Sequence, residues 1–214
     1  MREFLTRLIS SIILISLIFF VFTKGTIFIN LFILICLLIS LYEWYMLRIN
    51  KNYYYIGVIF LFLSFFSVYR LTNYEVDYSN FILILLICIS TDLGGYFFGK
   101  IFKGKKLTKI SPNKTYSGMF GSFILSFVFC YIFLKFTNIF TYSSLSQINI
   151  IIFIFFISSI SQIGDIIISY FKRKSKVKNT GKIIPGHGGL IDRIDGMIFA
   201  FPFRYLFLTL EILK

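Results

Sequence analysis

The sequence predicts an all-α, polytopic integral membrane protein with about seven transmembrane helices, and three observations carry that prediction. Of 214 residues, 57% are hydrophobic and only 14% charged, with a mean hydropathy of +0.85. Soluble domains run at roughly 45–50% apolar and about 25% charged, so this chain lacks the polar surface that water would require. Apolar runs of about 20 residues recur, the length a helix needs to cross the hydrocarbon core. The polar residues fall mainly between those runs. A soluble fold, a disordered chain and a fibrous repeat are all disfavoured, and inside lipid a long apolar run satisfies its backbone only as a helix.

The runs are 5–22, 26–45, 53–69, 81–101, 118–137, 148–171 and 191–212. The first follows Arg2 and Arg7 and so has the opening of a signal peptide. Phe19, Phe20 and Phe22 stand where small cleavage-site residues would be needed, and a retained span is expected. Only Lys24-Gly25 separates it from the second run, which implies a tight hairpin or one broken helix. The third run follows Arg48 and Lys51, and the fourth follows a 70–80 loop carrying Glu75 and Asp77. The last three are introduced by 102–117, by 138–147 and by 172–190.

Charge orients these spans, because lysine and arginine accumulate in cytoplasmic loops. The stretch 102–117 holds Lys103, Lys105, Lys106, Lys109 and Lys114, and 172–190 holds Lys172, Arg173, Lys174, Lys176, Lys178 and Lys182. Between them, 138–147 has no charge. The expected topology puts the N-terminus and both basic loops in the cytoplasm and the C-terminus outside. Residues 1–80 then form an N-terminal set of transmembrane helices, and 81–214 a catalytic transmembrane region.

The net charge of +13 also limits the partners. Nucleic acid fits poorly, because the basic residues sit between membrane-length runs; anionic headgroups or phosphorylated small molecules fit better. Cys36, Cys88 and Cys130 lie inside apolar runs, with neither disulfide nor metal spacing. Acids within spans are costly, by about 2.5–3.5 kcal/mol, and are candidate functional residues for that reason. Asp92 lies in the fourth span, Asp165 in the sixth, and Asp192 and Asp195 open the seventh, three residues apart and on one helical face.

Two polar segments hold the chemistry. The first runs Thr91-Asp92, with Gly94, Gly95 and Gly99 for close approach, then Ser111-Pro112-Asn113-Lys114-Thr115. A lysine with hydroxyls and free N–H groups at a helix start suits a phosphate. The second is longer: Gly164-Asp165, Ser169, Lys172-Arg173, Lys178-Asn179, Gly181, Pro185-Gly186-His187-Gly188-Gly189, Asp192-Arg193 and Asp195. Carboxylates flanking a basic loop are what a Mg²⁺-nucleotide requires, with oxygen ligands for the cation and basic side chains for the phosphoryl oxygens. The glycine turn offers backbone N–H groups without side chains in the way. His187, the one histidine, reads as a phosphate or base contact rather than a transition-metal ligand, since no second soft ligand is near in sequence.

From Ser169 to Asp195 this segment resembles the signature of the phosphatidate cytidylyltransferase (CDP-diacylglycerol synthase) family, S-x-x-K-R-x4-K-D-x-G-x3-P-G-H-G-G-x-x-D-R-x-D. With Thr91-Asp92 and Ser111–Thr115 included, the likeness covers about the C-terminal 60% of the chain. Two positions depart from the pattern: Asn179 replaces an aspartate, and Ser117 stands where glutamate is frequent. The resemblance implies a multi-pass bacterial inner-membrane enzyme, homodimeric, that joins CTP to phosphatidate to give CDP-diacylglycerol and pyrophosphate, with its active site facing the cytoplasm. It implies Mg²⁺ on Asp165, Asp192 and Asp195, with a second cation left open. Lys172, Arg173 and Arg193 join those acids as catalytic residues. Asp92, Lys114, Ser169, Lys178, His187, Gly188 and Gly189 are the expected substrate and phosphate contacts. Readings that stay open are a CTP-dependent lipid kinase, cytidylyl transfer to another lipid phosphate, an inactive relative (on account of Asn179), and an ion transporter using Asp92 and Asp165.

Overall fold

The structure is a computed structural model that describes residues 10, 13, 16–73, 78–108, 110–136, 147–186 and 188–209. Seven helices appear among the described residues. They are α1 (16–24), α2 (Thr26–Met46), α3 (Lys51–Asn73), α4 (Ser79–Phe102), α5 (Tyr116–Phe136), α6 (Gln147–Lys174) and α7 (Ile191–Thr209). Gly25, at φ +93, breaks the chain between α1 and α2. Half of the predicted 5–22 span, part of the 70–80 loop, nearly all of 138–147 and the end of 191–212 lie outside the described residues.

Among the described residues, five helices, α2 to α6, are long and apolar enough to cross a membrane. The predicted seventh span forms α7, which has only 19 residues and carries Asp192, Arg193, Asp195 and Arg204. The chain is thus an all-helical, multi-pass membrane protein. Long spans turn large apolar side chains outward, among them Ile35, Ile59, Phe120 and Ile151, where lipid rather than water is the solvent.

The basic loops are shorter than the sequence implies. Lys172, Arg173 and Lys174 form the last turn of α6, where cations meet the negative end of the helix dipole. That helix closes with the N–H of Val177 on the carbonyl of Lys172 (3.0 Å) and that of Lys176 on Arg173 (3.0 Å). This is a Schellman closure, with Lys176 at φ +55 in the position usually given to glycine.

By Cα proximity the chain divides into two compact units, one of Met1–Val76 with Phe171–Asp195 and the other of Asp77–Tyr170 with Gly196–Lys214. In the first, Asn30 and Asn73 exchange amide hydrogen bonds of 3.1 and 2.8 Å between α2 and α3. Trp44 lies buried against Gly57, which has no room for a Cβ, and its Nε1 donates to the carbonyl of Tyr54 at 3.1 Å. In the second, Gly94 on α4 meets the backbone of Gly121 and Ser122 on α5. Small residues let two membrane helices approach this closely. The Ser122 hydroxyl donates to the carbonyl of Thr91 at 2.7 Å, and the Thr91 hydroxyl bonds to that of Ser158 on α6 at 2.8 Å. Phe81 of α4 stacks on Phe201 of α7, and Gly196 of α7 leaves space for Ser161 of α6.

Candidate active site

In the second unit, the segment between α4 and α5 folds back on itself. Leu107 N–H bonds to the carbonyl of Lys114 at 2.8 Å, and Tyr116 N–H to that of Lys105 at 3.1 Å. Ser111 to Lys114 close a turn by a 3.1 Å backbone bond, as expected of Ser-Pro-Asn. Thr115 then caps α5, its hydroxyl accepting from Gly118 N–H at 3.1 Å. Ser117 donates to the carbonyl of Lys103. This rigid return presents the Lys114 ammonium to the Asp165 carboxylate on α6, and the two form an ion pair. The Ser169 hydroxyl, one turn on, donates to Asp165 Oδ1 at 3.3 Å.

In the first unit, Lys172 Nζ pairs with Asp192 Oδ1 at 2.8 Å, with side chains only 11% and 6% exposed. Burial at this level takes the pair out of the class of weak surface bridges. Removing one partner from a buried pair costs about 3–5 kcal/mol, because the other charge is left uncompensated. The other oxygen of Asp192 is equally engaged. Oδ2 accepts from Thr180 N–H at 2.8 Å, from the Thr180 hydroxyl at 3.2 Å and from Gly189 N–H at 3.0 Å. One carboxylate therefore ties the end of α6, the 175–190 loop and the start of α7 together.

The glycine turn is built around it. Ile184 and Gly188 exchange backbone bonds of 2.9 and 3.2 Å, which pinch Pro185 and Gly186 into a tight return. Gly186 at φ +75 and Gly188 at φ +89 occupy the left-handed region where a side chain is strained. A Cβ on Gly188 would stand 2.8 Å from Asp192 Oδ2. His187 falls outside the described residues.

Glu43, near the end of α2, is a buried acid at this junction that motif reading misses. It is 1% exposed, with Oε1 accepting from Leu190 N–H at 2.7 Å and Oε2 from Ile191 N–H at 3.0 Å and the Thr180 hydroxyl at 2.8 Å. Its one signal in the sequence is an acid inside an otherwise apolar run, and no motif surrounds it.

The other expected residues differ in exposure. Arg173, Lys178 and Arg193 are exposed, as is Asn179, which lies beside Gly188. Asp92 is exposed on α4, and Asp195 is buried on α7, one turn from Asp192. Among the described residues, no three carboxylate, thiol or imidazole side chains converge as a metal cluster.

Fold and site together define a multi-pass helical membrane protein in which a glycine-rich turn is bound to a buried lysine–carboxylate pair. The chain belongs to the cytidylyltransferase family, whose model matches residues 52–211. It is 36% identical to the phosphatidate cytidylyltransferase of Bacillus subtilis over 73% of this chain and 55% of that protein. It is 39% identical to that of Haemophilus influenzae over 63% and 48%, and 36% identical to that of Rickettsia prowazekii over 92% and 88%. The chain thus spans about half the length of the first two relatives and most of the third.

Proposed function

We propose that the chain is a phosphatidate cytidylyltransferase, transferring CMP from CTP to phosphatidate to give CDP-diacylglycerol and pyrophosphate. The observation that carries this reading is the glycine turn held on one oxygen of Asp192 while the other pairs with Lys172, in a segment whose Arg173, Lys178 and Arg193 are exposed. The exposed cations of such a segment suit a polyphosphate. Family membership and the named relatives support the choice of CTP and phosphatidate.

Asp192 and Asp195 supply hard oxygen donors one helical turn apart, and the Lys172 ammonium already stands against Asp192 Oδ1 as a cation does. The donor chemistry fits Mg²⁺, which takes one or two carboxylates and completes its shell with phosphate and water. Asp192 and Asp195 would hold it, and it would offset charge on the α-phosphate and the departing pyrophosphate. Asp165 and Lys114 form a like pair in their own unit.

The phosphate monoester of the lipid is an anion at neutral pH and needs no strong base. One of its oxygens attacks the α-phosphorus of CTP in line. A new P–O bond forms as the bond to the β-bridging oxygen breaks, and pyrophosphate leaves with that electron pair. Lys172, Arg173, Lys178 and Arg193 neutralise the phosphoryl oxygens. The same reading includes about seven spans in a bacterial inner membrane, a cytoplasmic site, where the lipid and the nucleotide meet, and assembly as a homodimer. Purified protein given labelled CTP, phosphatidate and Mg²⁺ should form lipid-linked CDP product, and Asp195→Ala should not. Equal, background-level product from both would refute the assignment.

A further inference from the structure

We infer that Glu43 is a positioning residue for the reaction, holding the loop–helix junction that presents Asp192; the inference rests on the functional reading above. A carboxylate buried without compensation costs several kcal/mol, so its partners reveal why it is retained. Among the described residues no lysine or arginine pairs with Glu43. Its charge is met by three hydrogen-bond donors, two of them the N–H groups of Leu190 and Ile191 at the start of α7. These are donors that a helix leaves unsatisfied, at the positive end of its dipole.

The third donor makes the connection to the site. The Thr180 hydroxyl lies 2.8 Å from Glu43 Oε2 and 3.2 Å from Asp192 Oδ2, and Thr180 N–H donates to that same Oδ2 at 2.8 Å. Glu43 and Asp192 thus grip one threonine from two sides. Glu43 fixes where the helix starts, and Asp192, in its first turn, points where that start dictates. Two glycines clear the space: a Cβ on Gly181 would come within 2.7 Å of Glu43 Oε1, and one on Gly189 within 2.6 Å. The acid, the threonine and both glycines therefore form one packed unit behind the glycine turn.

The geometry sets what each substitution does. In Glu43→Gln, one end of the side chain becomes an NH₂ group and meets a donor, so at least one of the three bonds is lost. Glu43→Asp keeps the charge but withdraws it by one methylene. Thr180→Val removes the link between the two carboxylates and leaves Glu43 its helix contacts. Groups that orient a ligand carboxylate typically change metal affinity or activity by about 10–100-fold when removed.

The test compares wild type, Glu43→Gln, Glu43→Asp and Thr180→Val in detergent. It reads kcat and KM for CTP, the Mg²⁺ concentration for half-maximal rate, the melting temperature, and hydrogen exchange of peptides covering 179–195. The expected result is a loss in kcat/KM of about 10–100-fold for both Glu43 variants, with a raised Mg²⁺ requirement. Thr180→Val should lose less. Exchange should rise in 179–195 and stay at wild-type levels elsewhere, with melting little changed. Wild-type kinetics and exchange in Glu43→Gln would overturn the inference. So would a large fall in melting temperature with exchange raised throughout, which marks a general stabiliser. A wild type without cytidylyl transfer defeats the functional reading, while exchange raised only in 179–195 would still support the positioning role.

Discussion

Gly188 is the position where a single added methyl group should be most damaging. Its φ of +89 lies in the left-handed region, which costs an L side chain about 1–2 kcal/mol. A Cβ there would also stand 2.8 Å from Asp192 Oδ2 and 3.1 Å from Asn179 Cγ. Oδ2 accepts two backbone N–H bonds and shares the one Thr180 hydroxyl proton with Glu43, so moving Asp192 away weakens at least one bond to a charged acceptor, worth about 1.5–3 kcal/mol. For Gly188→Ala the backbone term lowers stability, and the bond lost at Asp192 is the part that reaches activity. At about 1.4 kcal/mol per decade, that bond term of about 1.5–3 kcal/mol is a loss of roughly 10-fold to somewhat over 100-fold in kcat/KM for cytidylyl transfer. Gly25→Ala is the matched control, with φ +93 and nothing within 4 Å of a new Cβ. It carries the backbone cost alone, so melting in detergent should fall while kcat/KM stays within about twofold, as expected of an independent position. Gly188→Ala retaining activity within about threefold of wild type, or Gly25→Ala losing as much, would refute the argument that contact with Asp192 decides the effect.

Other substitutions probe the scaffold and the site separately. Gly94→Ala drives a methyl group into the Gly121–Ser122 backbone of α5, and should lower stability in detergent by about 1–3 kcal/mol, read as a fall in melting temperature. Lys176→Gly relieves the left-handed lysine that ends α6, and should raise stability by about 0.5–1 kcal/mol in the same measurement. Asn179→Asp adds a carboxylate beside Gly188 and Asp192; titration of activity with Mg²⁺ should show half-saturation at several-fold lower concentration.

How much could be read from the chain alone depended on the range of the interactions involved. Apolar runs marked five spans within a few residues, because a helix in lipid needs only local satisfaction of its backbone. The end of α6 was misplaced: Lys172 to Lys174 look like loop residues by charge, yet cations favour the last turn of a helix. The spacing from Lys172 to Asp195 carries the resemblance to the family, and Lys114 is expected from it only as a phosphate contact. That Lys172 would pair with Asp192, and Lys114 with Asp165, was not legible, because a lysine side chain reaches many acids and packing alone selects one.

By itself, the sequence determined that the protein is helical and membrane-embedded, and which stretch bears the glycine-rich, basic pattern. Those properties follow from solvent transfer and from residues close together in the chain. Only the tertiary structure decided which oxygen of Asp192 faces a lysine and which is spent on the loop. It alone brought Glu43 to Leu190 and Ile191, across 147 and 148 positions of chain. An acid near the end of an apolar helix carries no local mark of its partner. Its purpose appears when the distant helix start, with its unsatisfied N–H groups, is packed against it.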